Sequence, residues 1–132
     1  MTTYILDTTV VSDLANGNAN VRTHIDSMLK IESRILVPSA VVYEFRRILI
    51  KRNATKQLHH LRHEILPLFE PYSVEDEHWL LAARFWAMMT STGKQLSDVD
   101  LLLAAITYRL QGVLVSSDDD FDALPIKREN WR

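Results

Sequence analysis

The stretch Leu96-Ser97-Asp98-Val99-Asp100-Leu101-Leu102-Leu103-Ala104-Ala105 decides how the rest of the chain is read. Ser97 is suited to N-cap a helix whose first turn carries two carboxylates, and an apolar run follows directly. Exposed N–H groups and the macrodipole stabilise negative charge at a helix N-terminus. Ser97-x-x-Asp100 resembles a capping box with Asp in place of Glu, so capping alone accounts for this stretch. Three other acids, Asp7, Glu44 and Asp118, alter that reading through their positions.

Downstream, the helix is expected to reach about Leu110 and to be ended by Gly112. Val113-Leu114-Val115 reads as a fully buried strand, followed by the polar loop Ser116 to Asp120, and Ile126 as a last short strand. Upstream, Val74 to about Thr92 reads as a long helix carrying Trp79, Leu80, Ala83, Phe85, Trp86 and Met89, closed by Gly93. A helix from about Ala54 to Leu66 stops near Pro67, and Leu68 to Tyr72 is a candidate strand despite Pro71. Ser39 is expected to N-cap a helix through Arg52, with Val41, Val42, Phe45, Ile48 and Leu49 as its apolar stripe. Glu44 falls at the edge of that stripe, with Arg47 and Lys51 on its own side. Ile35-Leu36-Val37, ended by Pro38, and Tyr4-Ile5-Leu6, ended by Asp7, read as buried strands. Thr8 to Ala15 and Asn20 to about Ile31 read as helices, the second burying Val21, Ile25, Met28 and Leu29.

Short apolar strands alternating with helices imply a parallel sheet covered on both faces, an α/β fold in three α/β/α layers. The 132 residues fit a single domain, residues 1–132, with no linker or repeat. Hydrophobic residues make up 47% and charged residues 24%, which excludes a disordered chain. Without cysteine there is no disulfide framework, thiolate metal site or cysteine nucleophile, which fits a cytoplasmic setting. The early sequence carries no basic-then-apolar leader pattern, and no stretch approaches a membrane span, so no membrane is expected. A net charge of −2 gives no global attraction to nucleic acid, so any such partner must be held locally.

Asp7 and Asp118 follow strands, Glu44 lies about one turn into the helix after a strand, and Asp98 and Asp100 open a helix. Parallel strands can bring all of these to one sheet edge, outside the carboxyl ends where α/β folds bind ligands. Gathered carboxylates repel and raise one another's pKa, so the fold needs a counter-charge. An all-oxygen set suits Mg²⁺ or Mn²⁺ rather than zinc. Such ions bind phosphate oxygens and activate water for in-line displacement, which points to phosphodiester hydrolysis without a side-chain nucleophile.

Ile5-Leu6-Asp7-Thr8-Thr9-Val10, Glu44, Asp98-Val99-Asp100-Leu101-Leu102-Leu103-Ala104-Ala105 and Val115-Ser116-Ser117-Asp118-Asp119-Asp120-Phe121 together resemble the motifs of PIN-domain ribonucleases. The subgroup most resembled is the VapC-type toxins of bacterial toxin–antitoxin pairs, and the likeness runs to Leu124-Pro125-Ile126 and Glu129-Asn130-Trp131. It implies a PIN-like fold and a metal-dependent endoribonuclease, paired with a small VapB-like antitoxin and assembled as a homodimer. Asp7, Glu44 and Asp100 would be the core metal ligands and Asp118 a fourth acid, with Asp98 in a less strictly required position and Asp120 on the rim. Thr9 stands where the family commonly has Asn, and Ser116-Ser117 replaces a common Thr-Asn pair; both keep hydroxyls able to orient carboxylates.

Simpler roles stand beside these. Asp7 could N-cap the Thr8 helix, Glu44 could pair with Arg47, and Asp118 to Asp120 could form a turn. Arg47 and Lys51 are the better phosphate candidates, whereas Arg46 and Arg52 fit a solvated face. His59 and His63, at i and i+4, lack a third ligand and read as surface. Trp79, Trp86, Phe85 and Met89 are expected in the core or a dimer interface. A signalling receiver domain is disfavoured because Asp7 has no adjacent acid and no aspartate lies between Asp26 and Asp76. A catalytically silent RNA-binding module of the same fold, or a nuclease acting on DNA, remain as alternatives.

Overall fold

The computed structural model describes residues 1–132. Five parallel strands, β1 (Thr3–Leu6), β2 (Arg34–Pro38), β3 (Glu70–Tyr72), β4 (Val113–Val115) and β5 (Lys127–Glu129), form one sheet in the order β3-β2-β1-β4-β5. The helices are α1 (Thr8–Ala15), α2 (Ala19–Lys30), α3 (Ser39–Lys51), α4 (Thr55–His60), α5 (Asp76–Thr90) and α6 (Asp98–Leu110). Successive strand side chains point to opposite faces. Tyr4, Ile5 and Leu6 are nevertheless all buried, so helices cover both faces of the central strand, as expected for an α/β/α arrangement.

Strand order reverses at β1, whose neighbours are β2 on one side and β4 on the other. Leu6 pairs with Val115, so both strands end at the same level, and the residues after them, Asp7 and Ser116, emerge together. The core joins 31 buried apolar side chains, including six consecutive residues of α6 from Leu101 to Ile106, and the polar Thr107 is buried next to them. Thr107 satisfies its hydroxyl by donating to the Leu103 carbonyl at 2.8 Å.

Several local expectations need correcting. Ser39 does not cap α3; it is the first helical residue and makes no capping bond, because Pro38, fixed at φ −63° and ψ 149°, takes the cap position. Gly112 is not the left-handed terminator of α6. Gln111 takes that conformation at φ 51°, and Gly112 is needed because a Cβ there would lie 2.7 Å from both the Thr3 carbonyl oxygen and Ile5 Cδ1. The segment after Asn53 changes pitch, from α4 to a π-turn over Leu61–Ile65 and a 3-10 turn over Leu66–Leu68, where Pro67 ends it. Leu29 and Ile48 are exposed rather than buried, since Val21 with Ile25 and Val41 with Phe45 and Leu49 already fill the inward faces. The last strand is Lys127–Glu129 and not Ile126; as an edge strand it is charged and carries no apolar signature. Trp79 and Trp86 lie outside the core at 55% and 57% exposure, whereas Phe85 and Met89 of the same helix are buried.

Candidate functional site

Asp7 N-caps α1 with backbone φ −73° and ψ 160° and is 5% exposed, an unusual depth for a carboxylate. Its two oxygens are held separately. Oδ1 accepts from the Thr8 N–H at 2.7 Å, and Oδ2 accepts from the Ser116 hydroxyl at 2.7 Å, with Thr9 Oγ1 at 3.5 Å. Burial raises the Asp7 pKa, the Ser116 and Thr8 hydrogen bonds oppose the rise, and the charges of Glu44 and Asp118 add to it. Thr8 bridges Asp7 to Glu44, and the Ser116 hydroxyl bridges Asp7 to the Asp118 N–H, which sets both acids beside Asp7.

Asp100 sits in the first turn of α6, half-buried. The capping box is present: Ser97 Oγ accepts from the Asp100 N–H at 3.1 Å, and Asp100 Oδ2 accepts from the Ser97 N–H at 3.3 Å. Only one carboxylate oxygen serves the cap. Burial, then the charge of Asp7, push the Asp100 pKa up to about 6 against the opposing Ser97 bonds, with Glu44 contributing further. Capping and membership of an acid cluster therefore coexist in one residue.

Glu44 enters from α3 and accepts the Thr8 hydroxyl at 2.5 Å on Oε1, while Arg47 Nη2 lies 3.8 Å from Oε2. That hydroxyl–carboxylate bond has the short length of a charge-assisted contact. Arg47 also stands over the Tyr43 ring at 5.2 Å. Lys51 is exposed one turn further along α3, and Arg46 and Arg52 are exposed as well.

Asp118 opens the 3-10 turn Asp119–Ala123, its Oδ1 accepting from the Asp120 N–H at 2.9 Å and its own N–H donating to Ser116 Oγ at 3.1 Å. Carboxylate oxygens of Asp118, Asp119 and Asp120 lie within 4.8 Å of one another at the surface. That proximity follows from three consecutive acids in a tight turn and is relieved by water. The buried charge of Asp7 and the half-buried charge of Asp100 are relieved less in that way, so they define the centre, with Asp118 as its outer member. Asp98 is exposed at the start of α6, beside Trp79 and Trp86. Asp120 lies on the rim, 4.0 Å from Lys94 Nζ.

Two contributors carry no obvious sequence signal. Thr8 ties Asp7 to Glu44 through its backbone N–H and its hydroxyl. Arg128 on β5 donates to the Ser116 carbonyl at 3.0 Å and to both Asp122 oxygens at 2.9 Å, clamping the loop that carries Asp118. His59 and His63 lie 4.2 Å apart between ring centroids on the surface, their planes tilted by 38°, and form no metal-ligand group of three.

The donors offered at this point of the sheet are carboxylates backed by hydroxyls, without a nitrogen or sulfur ligand. They fit a hard divalent cation, whose charge would remove the repulsion that raises Asp7 and Asp100. A parallel α/β sheet with acids gathered at its switch point thus presents a set of oxygen donors where such sheets bind ligands.

Residues 4–127 match the model of the PIN domain, and the chain belongs to that family. Its fold is similar to that of VapBC2 from Rickettsia felis bound to a promoter DNA fragment, at TM-score 0.84 and 18% identity over 98% of this chain and 99% of that one. DNA-bound VapBC from Salmonella typhimurium gives TM-score 0.84 at 18% identity with both chains fully covered. VapC20 of Mycobacterium tuberculosis, a toxin that cleaves the sarcin-ricin loop, gives TM-score 0.67 at 16% identity over 93% and 95% of the two chains. No curated protein matches at the level of sequence. No helix is long and apolar enough to cross a membrane.

Proposed function

We propose that residues 1–132 act as one metal-dependent endoribonuclease, the toxin of a toxin–antitoxin pair. The observation that supports this most is the burial of Asp7 at the end of β1, joined through Thr8 to Glu44 and through Ser116 to the loop of Asp118, with the Asp7 charge helping to raise the Asp100 carboxyl. A fold gains nothing in stability from such a cluster, because each buried carboxylate costs desolvation and like charges repel. Its use is to hold a cation.

Asp7, Glu44 and Asp100 would hold Mg²⁺ or Mn²⁺, with Asp118 completing the set from the loop. When bound, the ion supplies charge for the phosphoryl oxygens, lowers the pKa of water and stabilises the leaving oxygen. Ser116, Thr8 and Ser97 keep the carboxylates in fixed orientations, so little reorganisation is needed when substrate arrives. Arg47, anchored beside Glu44 and Tyr43, and Lys51 meet the phosphates of the strand. Thr9 and Asp120 frame the entrance.

The small antitoxin is inferred from the resemblance and from the VapBC complexes of similar fold. A homodimer is inferred from family likeness alone. An RNA substrate places the action in the cytoplasm. Purified chain should cleave RNA with Mg²⁺ or Mn²⁺ and lose that activity in EDTA. Cleavage that persists in EDTA contradicts the assignment.

A further inference from the structure

Asp98 and Asp100 share the first turn of α6 but lie two residues apart, roughly 200° around the helix axis. Asp100 faces the acids. Asp98 instead borders a cavity of about 350 Å³ walled by Trp79 and Trp86 of α5, with Ala82, Ala83 and Leu101 as the other lining residues. Trp79 and Trp86 are i and i+7 on one face, and the small alanines between them make a recess where larger side chains would make a flat patch. Asp98 makes no ion pair within the chain, and its carboxylate is left to accept from a ligand. Trp86 also borders the neighbouring cavity, which Lys94 and Gln95 line, and Lys94 lies 4.0 Å from Asp120 on the rim of the acid centre. From the acids outward the surface therefore offers a cation, two aromatic walls and a hydrogen-bond acceptor.

We propose that Trp79 and Trp86 wall a slot for a nucleobase of the substrate strand, with Asp98 accepting from the base's N–H and Lys94 meeting a flanking phosphate. The proposal rests on the nuclease reading and deepens it by assigning residues that select sequence. Indole rings stack on any base, and a carboxylate rewards a base that presents an amine, as guanine, cytosine and adenine do and uracil does not. Uracil has one ring N–H between two carbonyl oxygens that face the carboxylate, so it is disfavoured. The alternation of aromatic, acceptor and cation matches the parts of a nucleotide. A purely apolar protein contact would leave the Asp98 carboxylate without a partner.

The test uses intrinsic fluorescence of the full chain in EDTA, where cleavage is silent, titrated with short oligocytidylate, oligoadenylate and oligouridylate. Trp131, only 2% exposed, is the one other tryptophan and supplies a constant background. Oligocytidylate and oligoadenylate should quench saturably and oligouridylate more weakly. Trp86→Ala should weaken binding roughly tenfold and Trp86→Phe should restore it. Asp98→Asn should reduce the preference for cytosine and adenine over uracil. An absence of quenching by every oligonucleotide overturns the slot, as does a signal that follows protein concentration alone, which would mean that a second copy covers the tryptophans. RNA cleavage with Mg²⁺, measured separately, keeps the two readings apart. Cleavage without quenching removes the slot only, and quenching without cleavage supports the slot against the nuclease.

Discussion

Ser116 donates its hydroxyl to Asp7 Oδ2 at 2.7 Å, joining two residues 109 positions apart in the chain. Both are buried, and each follows a strand at the sheet's switch point. The bond fixes the deepest carboxylate of the centre from the loop that also carries Asp118.

Ser116→Ala should therefore loosen Asp7 without removing any ligand. Losing a hydrogen bond that orients a metal ligand typically costs roughly 10–100-fold in metal affinity. Isothermal titration with Mn²⁺ should show that loss while the circular dichroism spectrum stays unchanged. Equal affinity in both proteins would show that Asp7 is held adequately by Thr8 alone.

The acid pair predicts an unusual pH dependence. The Asp100 carboxyl holds its proton up to about 6 in the folded chain, against the ordinary 3.8. The folded state therefore binds a proton that the unfolded state has released. This contribution to stability is fully present below 3.8 and is lost as pH rises through about 6. Metal-free wild type should fall in melting temperature across that range more steeply than Asp100→Asn. Added Mg²⁺ should reverse the slope, because only the ionised carboxylates bind it. Parallel slopes in the two proteins would exclude Asp100 as the source.

Gly112→Ala places a methyl group 2.7 Å from the Thr3 carbonyl oxygen and Ile5 Cδ1, so β1 must shift. Overpacking of this kind costs about 1–3 kcal/mol, read as a lower urea midpoint. Gln111→Gly should move the midpoint the other way by about 1 kcal/mol, since Gln111 holds φ 51° against the preference of an L-residue. A neutral Gly112→Ala would show that Ile5 and β1 yield freely.

Arg128→Ala should separate positioning from stability. Its partner Asp122 is half-exposed, and a pair of that kind contributes at most about 1 kcal/mol. The same side chain also holds the Ser116 carbonyl, so the loop bearing Asp118 should lose its register. Turnover should fall several-fold more than the melting temperature implies, and Arg128→Lys should not restore it, lacking the planar fork. Unchanged turnover would remove Arg128 from the support of the site.

The central strands were legible because Tyr4-Ile5-Leu6, Ile35-Leu36-Val37 and Val113-Leu114-Val115 are short continuous apolar runs, the mark of strands buried on both faces. Asp7, Glu44, Asp100 and Asp118 could be singled out because strand ends and first helical turns converge in a parallel sheet. Thr8 could not, since one threonine among several carries no sign of a partner 36 residues away. Arg128 was hidden in a charged edge strand that resembles a loop in sequence. The recess beside Asp98 was not legible, because nothing in the sequence sets Trp79 and Trp86 of α5 against the first turn of α6.

The most direct test of the account is cleavage of a mixed RNA and single-stranded DNA panel by purified, antitoxin-free chain. Reactions with Mg²⁺, with Mn²⁺ and with EDTA would run beside Asp100→Asn of unchanged fold. The account predicts RNA cleavage that requires the metal and is lost in the variant. Cleavage by Asp100→Asn at the wild-type rate would contradict it, as would a well-folded wild type that cuts no RNA under any metal condition.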